Sequence, residues 1–398
     1  MRPLHWLLIG CVLSGCTYDP PVRPATWYEN PEHYSDDSAA HPRRAAFQAY
    51  LDHAVQEGLP GAVLLIRTPE DGTWVGASGF ADIASQVPWK PSTIGRVGSV
   101  SKLFAAAVIL QLVDQSVLSL DSCACHHLPN VLTSKIGNAQ VATVSQLLHH
   151  TSGIFNYLES TSLFLRAAGS YDYDYQSKEA LLEYAFGEPA SFSPGTGWEY
   201  SNTNFLLLQT IAERASGQSG KALLDSLVIE PLGLRSTRYD PAQPAPTGLA
   251  RGYGDLFGDG EPIDVTDTAL ERFHYDGGVI ANVYDIADLL DALLGSPFFS
   301  EDARAAFTDS VPTGGNSKRG VDYYGAGLIV EQSPEFGPVY GHSGTTMGFS
   351  AHVYHLAQFG ITFAAIVNGS QHTLEERSYR WFSPLEYDDV LRLVVGQQ

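Results

Sequence analysis

Positive charge is scarce in this sequence. Its 23 lysines and arginines stand against 44 aspartates and glutamates, a formal net charge of -21. So acidic a surface repels phosphates and argues against nucleic-acid recognition through a basic groove. Long apolar runs are missing too. Residues 4–13 are mostly apolar but too short to span a bilayer, and no later stretch reads as a transmembrane helix. Cysteine is limited to four residues. Cys123 and Cys125 stand one residue closer than a Cys-x-x-Cys zinc pair and have no second pair to complete a site. Residues 123–127 therefore read as a loop, and a disulfide between the two would close a tight ring. There is no internal repeat. Gly 38 and Pro 23 are ordinary fractions, which argues against a fibrous or wholly disordered chain. What is present is 398 residues at 44% hydrophobic, ample for a large core.

The first residues carry an export pattern: Arg2, the apolar run, then Leu13-Ser14-Gly15-Cys16. This resembles the lipobox of bacterial lipoproteins. The resemblance implies cleavage before Cys16, lipid on its thiol, and attachment to a membrane surface at the periplasmic face. Thr17 is not the aspartate that often retains lipoproteins at the inner membrane, which favours the outer one. Residues 1–15 then form the signal. Residues 16–44, with Pro20, Pro21, Pro24, Pro31 and Pro42, form an extended tether, and residues 45–395 form the folded body.

Within that body, Ala46, Phe47, Tyr50, Leu51 and Val55 recur at helical spacing over residues 44–55. Strands are expected over 62–67 and 73–80, joined at Asp71-Gly72. A helix opens at Ser99, and its body over 103–113 is apolar nearly all round, which predicts burial. The stretch from about 118 to 310 reads mainly as helices, clearest over 144–149, 178–186, 204–215 and 284–294. Strand character returns over 325–331, 339–342, 349–356 and 361–368, followed by a closing helix with a break near Pro384. The pattern predicts an α+β fold: an antiparallel sheet built from N- and C-terminal segments, flanked by helices, with a mainly helical region inserted. A cleft between sheet and insertion would hold the site.

The chemistry starts at Ser99-Val100-Ser101-Lys102. A serine hydroxyl needs a base, and a lysine three residues along a helix lies on the same face. Burial and the helix N-terminus would help that amine give up a proton. Ser101 is a rival, but it points away from the face of Lys102. Two further motifs follow: Tyr200-Ser201-Asn202 ahead of a helical run, and His342-Ser343-Gly344 at a strand end. Singly, Tyr200 would be a half-buried aromatic, Asn202 a helix cap and His342 a strand-end histidine. Gly341-His342-Ser343-Gly344-Thr345 nearly matches a Gly-x-Ser-x-Gly elbow, but Thr345 replaces its last glycine.

Together, in this order, the three motifs resemble those of serine β-lactamases and low-molecular-weight penicillin-binding proteins. Arg96-Val97-Gly98, residues 147–154, Asp276-Gly277-Gly278 and Tyr324-Gly325-Ala326-Gly327 add matching context, and the likeness runs over about residues 45–395. The resemblance implies a β-lactamase/transpeptidase-like fold with no cofactor and no metal. It implies that Ser99 is acylated, that Lys102 takes its proton, and that Tyr200 shuttles a proton to the leaving group. Asn202, His342, Ser343, Gly344 and Thr345 would bind substrate, with the N–H groups of Ser99 and Thr345 as oxyanion hole. His150 and Ser152 would brace the site. The acyl donor could be a peptidoglycan peptide, a β-lactam or an ester. Histidine where class C lactamases carry lysine weakens the lactamase reading, because it offers a substrate carboxylate charge only when protonated. It leaves D-alanyl-D-alanine carboxypeptidase and lactamase-like esterase close, with the peptidase ahead. A penicillin-binding sensor is the non-enzymatic alternative.

Overall fold

The computed structural model describes residues 34, 36–163, 176–239, 246–255, 262–267, 274–295, 297–314, 322–370 and 387–396. The signal, Cys16, most of the tether and Pro384 lie outside these residues.

Helix α1 (Arg44–Gln56) turns Phe47, Leu51 and Ala54 inward at helical spacing. A hairpin follows: β1 (Gly61–Thr68) and β2 (Gly72–Asp82), with Gly72 at φ 78 where the chain leaves the turn. After the short β3 (Val87–Pro88) and β4 (Gly95–Arg96) comes α2 (Ser101–Asp114), buried without interruption from Ser101 to Leu110. The next long helices are α3 (Asn202–Ser216) and α4 (Val283–Gly295), the latter preceded by β5 (Ile280–Ala281), which pairs with β4. The chain then returns to strands: β6 (Val311–Pro312), β7 (Tyr323–Tyr324), β8 (Ile329–Ser333), β9 (Gly337–Thr345), β10 (Ser350–Leu356) and β11 (Ile361–Val367). Helix α5 (Tyr387–Val395) closes it.

Among the described residues the main sheet has nine strands in the order β3-β2-β1-β11-β10-β9-β8-β7-β6. Each pair is antiparallel, and β1 lies against β11, with Ala62 opposite Val367 and Arg67 opposite Thr362. The two ends of the chain thus complete one sheet. Its central strands are covered on both faces, which explains runs such as residues 62–66 and 361–367 that are apolar on both sides. Ala62, Leu64 and Ile66 pack with Phe47 and Leu51 of α1 and Val390 and Leu391 of α5. Val63 and Leu65 face the opposite way, into the large core that holds α2, α3 and α4.

Two expectations need correction. The strand over 325–331 starts only at Ile329. The Gly325 N–H bonds the Leu328 carbonyl, and Gly327 turns at φ 69. There a Cβ would lie 2.7 Å from the Lys102 carbonyl, so the turn is pressed onto α2. The helix over 178–186 is α-helical only through Leu182 and tightens into a 3-10 turn over Glu183–Ala185. The structure also joins Cys123 to Cys125 by a disulfide. No described helix is long and apolar enough to cross a membrane.

Candidate active site

Ser99 sits in a 3-10 turn, Gly98–Val100, immediately ahead of α2. It is half-exposed, whereas Lys102, one turn on, is fully buried. Gly98 has φ 51, and a Cβ on it would lie 2.7 Å from the Thr345 nitrogen. A Cβ on Gly344 would meet the Val97 carbonyl oxygen at 2.0 Å and the Ser99 nitrogen at 2.6 Å. Two glycines therefore let the end of β9 lie against the turn that carries the serine. This contact brings the backbone nitrogens of Ser99 and Thr345 close together.

The Lys102 Nζ lies 3.3 Å from Ser99 Oγ. It donates to Asn202 Oδ1 at 2.7 Å and to the Asp276 carbonyl at 2.6 Å. Two of its valences are thereby committed to fixed acceptors, and the remaining one faces the serine. Ser101, the rival hydroxyl, is buried and accepts the Val279 N–H at 3.0 Å, tied to the other side of the helix. Tyr200 completes the cluster. Its ring centroid is 4.9 Å from Lys102 Nζ, and its buried hydroxyl has no hydrogen-bond partner among the described residues. Ser99 and Lys102 thus converge with Tyr200 and Asn202 from two separate parts of the chain.

His342, Ser343, Gly344 and Thr345 run along β9, the strand that walls this cluster. The His342 ring is fully buried. Its Nδ1 lies 2.6 Å from the Ser343 carbonyl, and its Nε2 lies 2.9 Å from the Tyr324 hydroxyl. A carbonyl can only accept, so Nδ1 carries a proton, and in the neutral ring Nε2 then accepts from Tyr324. The side chain is built into the wall, its ring 6.4 Å from the Tyr200 ring.

Behind Tyr200 lies His150, at φ 58 and fully buried, with its ring 4.3 Å from the phenol ring. Its Nδ1 accepts the Ser201 N–H at 3.2 Å and faces the Asn204 amide at 3.1 Å, while Ser152 donates to the other end of that amide. Burial first, then the positive charge of Lys102 and of His342 and His149 when protonated, hold this imidazole well below the ordinary histidine range. The folded protein keeps it neutral, whereas the unfolded chain takes up a proton below about pH 6.5. The stability it contributes is therefore present above that pH and lost as pH falls. His150→Asn keeps an acceptor near Nδ1 and tolerates a positive φ. Its urea midpoint is expected to fall less between pH 6.5 and 5.5 than that of the parent protein.

With this geometry in view, comparison with known proteins is decisive. The Beta-lactamase family matches residues 44–384. The chain belongs to the Beta-lactamase family. Esterase EstB of Burkholderia gladioli, a relative, is 33% identical over 251 residues, which cover 60% of this chain and 60% of the esterase. Penicillin-binding protein 4* of Bacillus subtilis is 26% identical over 311 residues, 75% of this chain and 66% of that one. The matches therefore span less than about two thirds of these relatives. Among solved structures, a D-stereospecific amidohydrolase from Streptomyces has a TM-score of 0.72 at 29% identity, covering 82% of this chain and 95% of its own. The D-amino acid amidase of Ochrobactrum anthropi shares the fold, with a TM-score of 0.74 at 22% identity, over 88% of this chain and 97% of its own. The fold is accordingly that of the β-lactamase and transpeptidase relatives.

For a Beta-lactamase family site, three neighbours escaped sequence reasoning. Tyr324 stood only as motif context, yet it holds His342. Asn156 and Tyr157 drew no notice. They follow the Thr151-Ser152-Gly153 turn without any spacing rule that ties them to Lys102. The signal that could have found them is a polar pair just after that turn.

Proposed function

We propose that this protein is a serine acyl hydrolase that forms an ester on Ser99 and prefers acyl donors whose leaving group carries no carboxylate, namely esters and amides. Ser99 Oγ attacks the acyl carbonyl while Lys102 takes its proton. The N–H groups of Ser99 and Thr345 receive the developing oxyanion. The unpartnered Tyr200 hydroxyl delivers a proton to the leaving group, then draws one from the water that frees the acid. Asn202 holds the lysine, and the backbone of Ser343, Gly344 and Thr345 lies alongside the substrate.

The observation that carries the preference is the buried His342 ring with both nitrogens bonded inside the wall. It supplies no fixed cation to a carboxylate leaving with D-alanine, and this moves the reading from the carboxypeptidase toward the esterase and amidase side. The similarity to esterase EstB and to the D-stereospecific amidohydrolase supports the same side. A panel of p-nitrophenyl esters, a D-amino acid amide, a cephalosporin and a D-Ala-D-Ala peptide tests it. The ester or amide kcat/KM is expected to exceed that for the peptide by about tenfold or more, the effect of one missing charged contact. Faster release of D-alanine would restore the carboxypeptidase reading. A lipid anchor at Cys16 on the periplasmic side belongs to the same proposal and rests on residues 1–16.

A further inference from the structure

Asn156 and Tyr157, adjacent on one loop, each touch one of the two acceptors that flank the Lys102 amine. Asn156 Oδ1 accepts both the Asn202 backbone N–H at 3.1 Å and its side-chain Nδ2 at 3.3 Å. An amide offers oxygen on one side and N–H on the other. With its nitrogen drawn to Asn156, Asn202 can turn only its oxygen to Lys102. On the other flank, Tyr157 donates to Asp276 Oδ2 at 2.7 Å, and the His274 N–H donates to Oδ1 at 3.0 Å. Both carboxylate oxygens are held, and with them the peptide whose carbonyl meets Lys102. The loop itself is pinned: Thr203 Oγ1 accepts the Tyr157 N–H at 2.9 Å and donates to the Phe155 carbonyl at 2.7 Å. Tyr157 and Asp276 are almost wholly buried, so water does not substitute for these bonds readily.

We infer that Asn156 and Tyr157 are positioning residues that clamp both fixed acceptors of Lys102, leaving Ser99 as the only partner with which it exchanges a proton. The inference rests on the Ser99–Lys102 reading and is tested apart from it. The full-length protein would be assayed on a p-nitrophenyl ester, with kcat/KM followed across pH, in Ser99→Ala, Tyr157→Phe, Asn156→Leu and Asn156→Asp variants. Tyr157→Phe removes one oxygen and leaves the ring. It is expected to lower kcat about tenfold with KM within about twofold, the loss of one bond to a charged group. It also leaves more negative charge unbalanced beside the base, so the acidic limb of the profile should move to higher pH. Asn156→Leu should lose about 10²-fold, and Asn156→Asp, which keeps the acceptor, should recover most of it. An unchanged profile and kcat in Tyr157→Phe and Asn156→Leu, beside an inactive Ser99→Ala, would overturn the clamp alone. So would loss without any shift of the limb and without rescue by aspartate, which marks simple packing. An active Ser99→Ala would overturn the underlying reading instead.

Discussion

Replacing Ser99 with alanine is expected to lower kcat/KM on any ester or amide substrate by at least about 10⁴-fold, the scale seen when a covalent nucleophile is removed. The substitution deletes the one oxygen that can carry the acyl group. What survives is ground-state binding and whatever the N–H pair at Ser99 and Thr345 does for direct attack by water. The fold should be indifferent. Ser99 is half-exposed, and its hydroxyl faces Lys102 Nζ at 3.3 Å. A melting temperature within about 2 °C of the parent, as for other surface-accessible substitutions, separates chemical loss from unfolding. Intact mass after mixing with a slow substrate supplies the second readout: an acyl adduct on the parent protein and none on the variant. An adduct that persists in Ser99→Ala would move the nucleophile elsewhere.

The second large effect is expected from a single methyl group. In Gly344→Ala the new carbon would meet Val97 O at 2.0 Å and Ser99 N at 2.6 Å, both backbone atoms that cannot swing aside. Either β9 or the serine turn must move. Overpacking of this kind costs about 3 kcal/mol, read as a lower denaturation midpoint. The same displacement separates the N–H groups of Ser99 and Thr345, and loss of one oxyanion donor costs about 10²–10³-fold in kcat. Gly217→Ala is the control. That glycine has a positive φ, 72, but nothing lies within 4 Å of its Cβ position. It should cost only about 1–2 kcal/mol of backbone preference and leave kcat unchanged. If Gly344→Ala behaves like Gly217→Ala, the close seating of β9 on the serine turn is wrong.

Several levels of this protein are determined locally and could be read from residues alone. The apolar spacing of Phe47, Leu51 and Ala54 makes α1. The uninterrupted apolar run of α2 requires burial, and the strand runs at both ends require a shared sheet. Ser99 and Lys102 meet because three residues make nearly one helical turn. Tyr200 and His342 were legible only as members of an ordered motif set, since nothing near them in sequence says what they face. Tertiary structure decided the rest. It turned His342 into a buried part of the wall by setting Tyr324 against its Nε2, 18 residues away. It delayed the start of a strand to Ile329, with Gly327 pressed on α2, and it set Asn202 and the Asp276 carbonyl against one amine. The two contacts to the amine join residues 100 and 174 positions apart, and no helical or strand period relates them. Their geometry follows from how the sheet, α2 and α3 pack together, which is a property of the whole core.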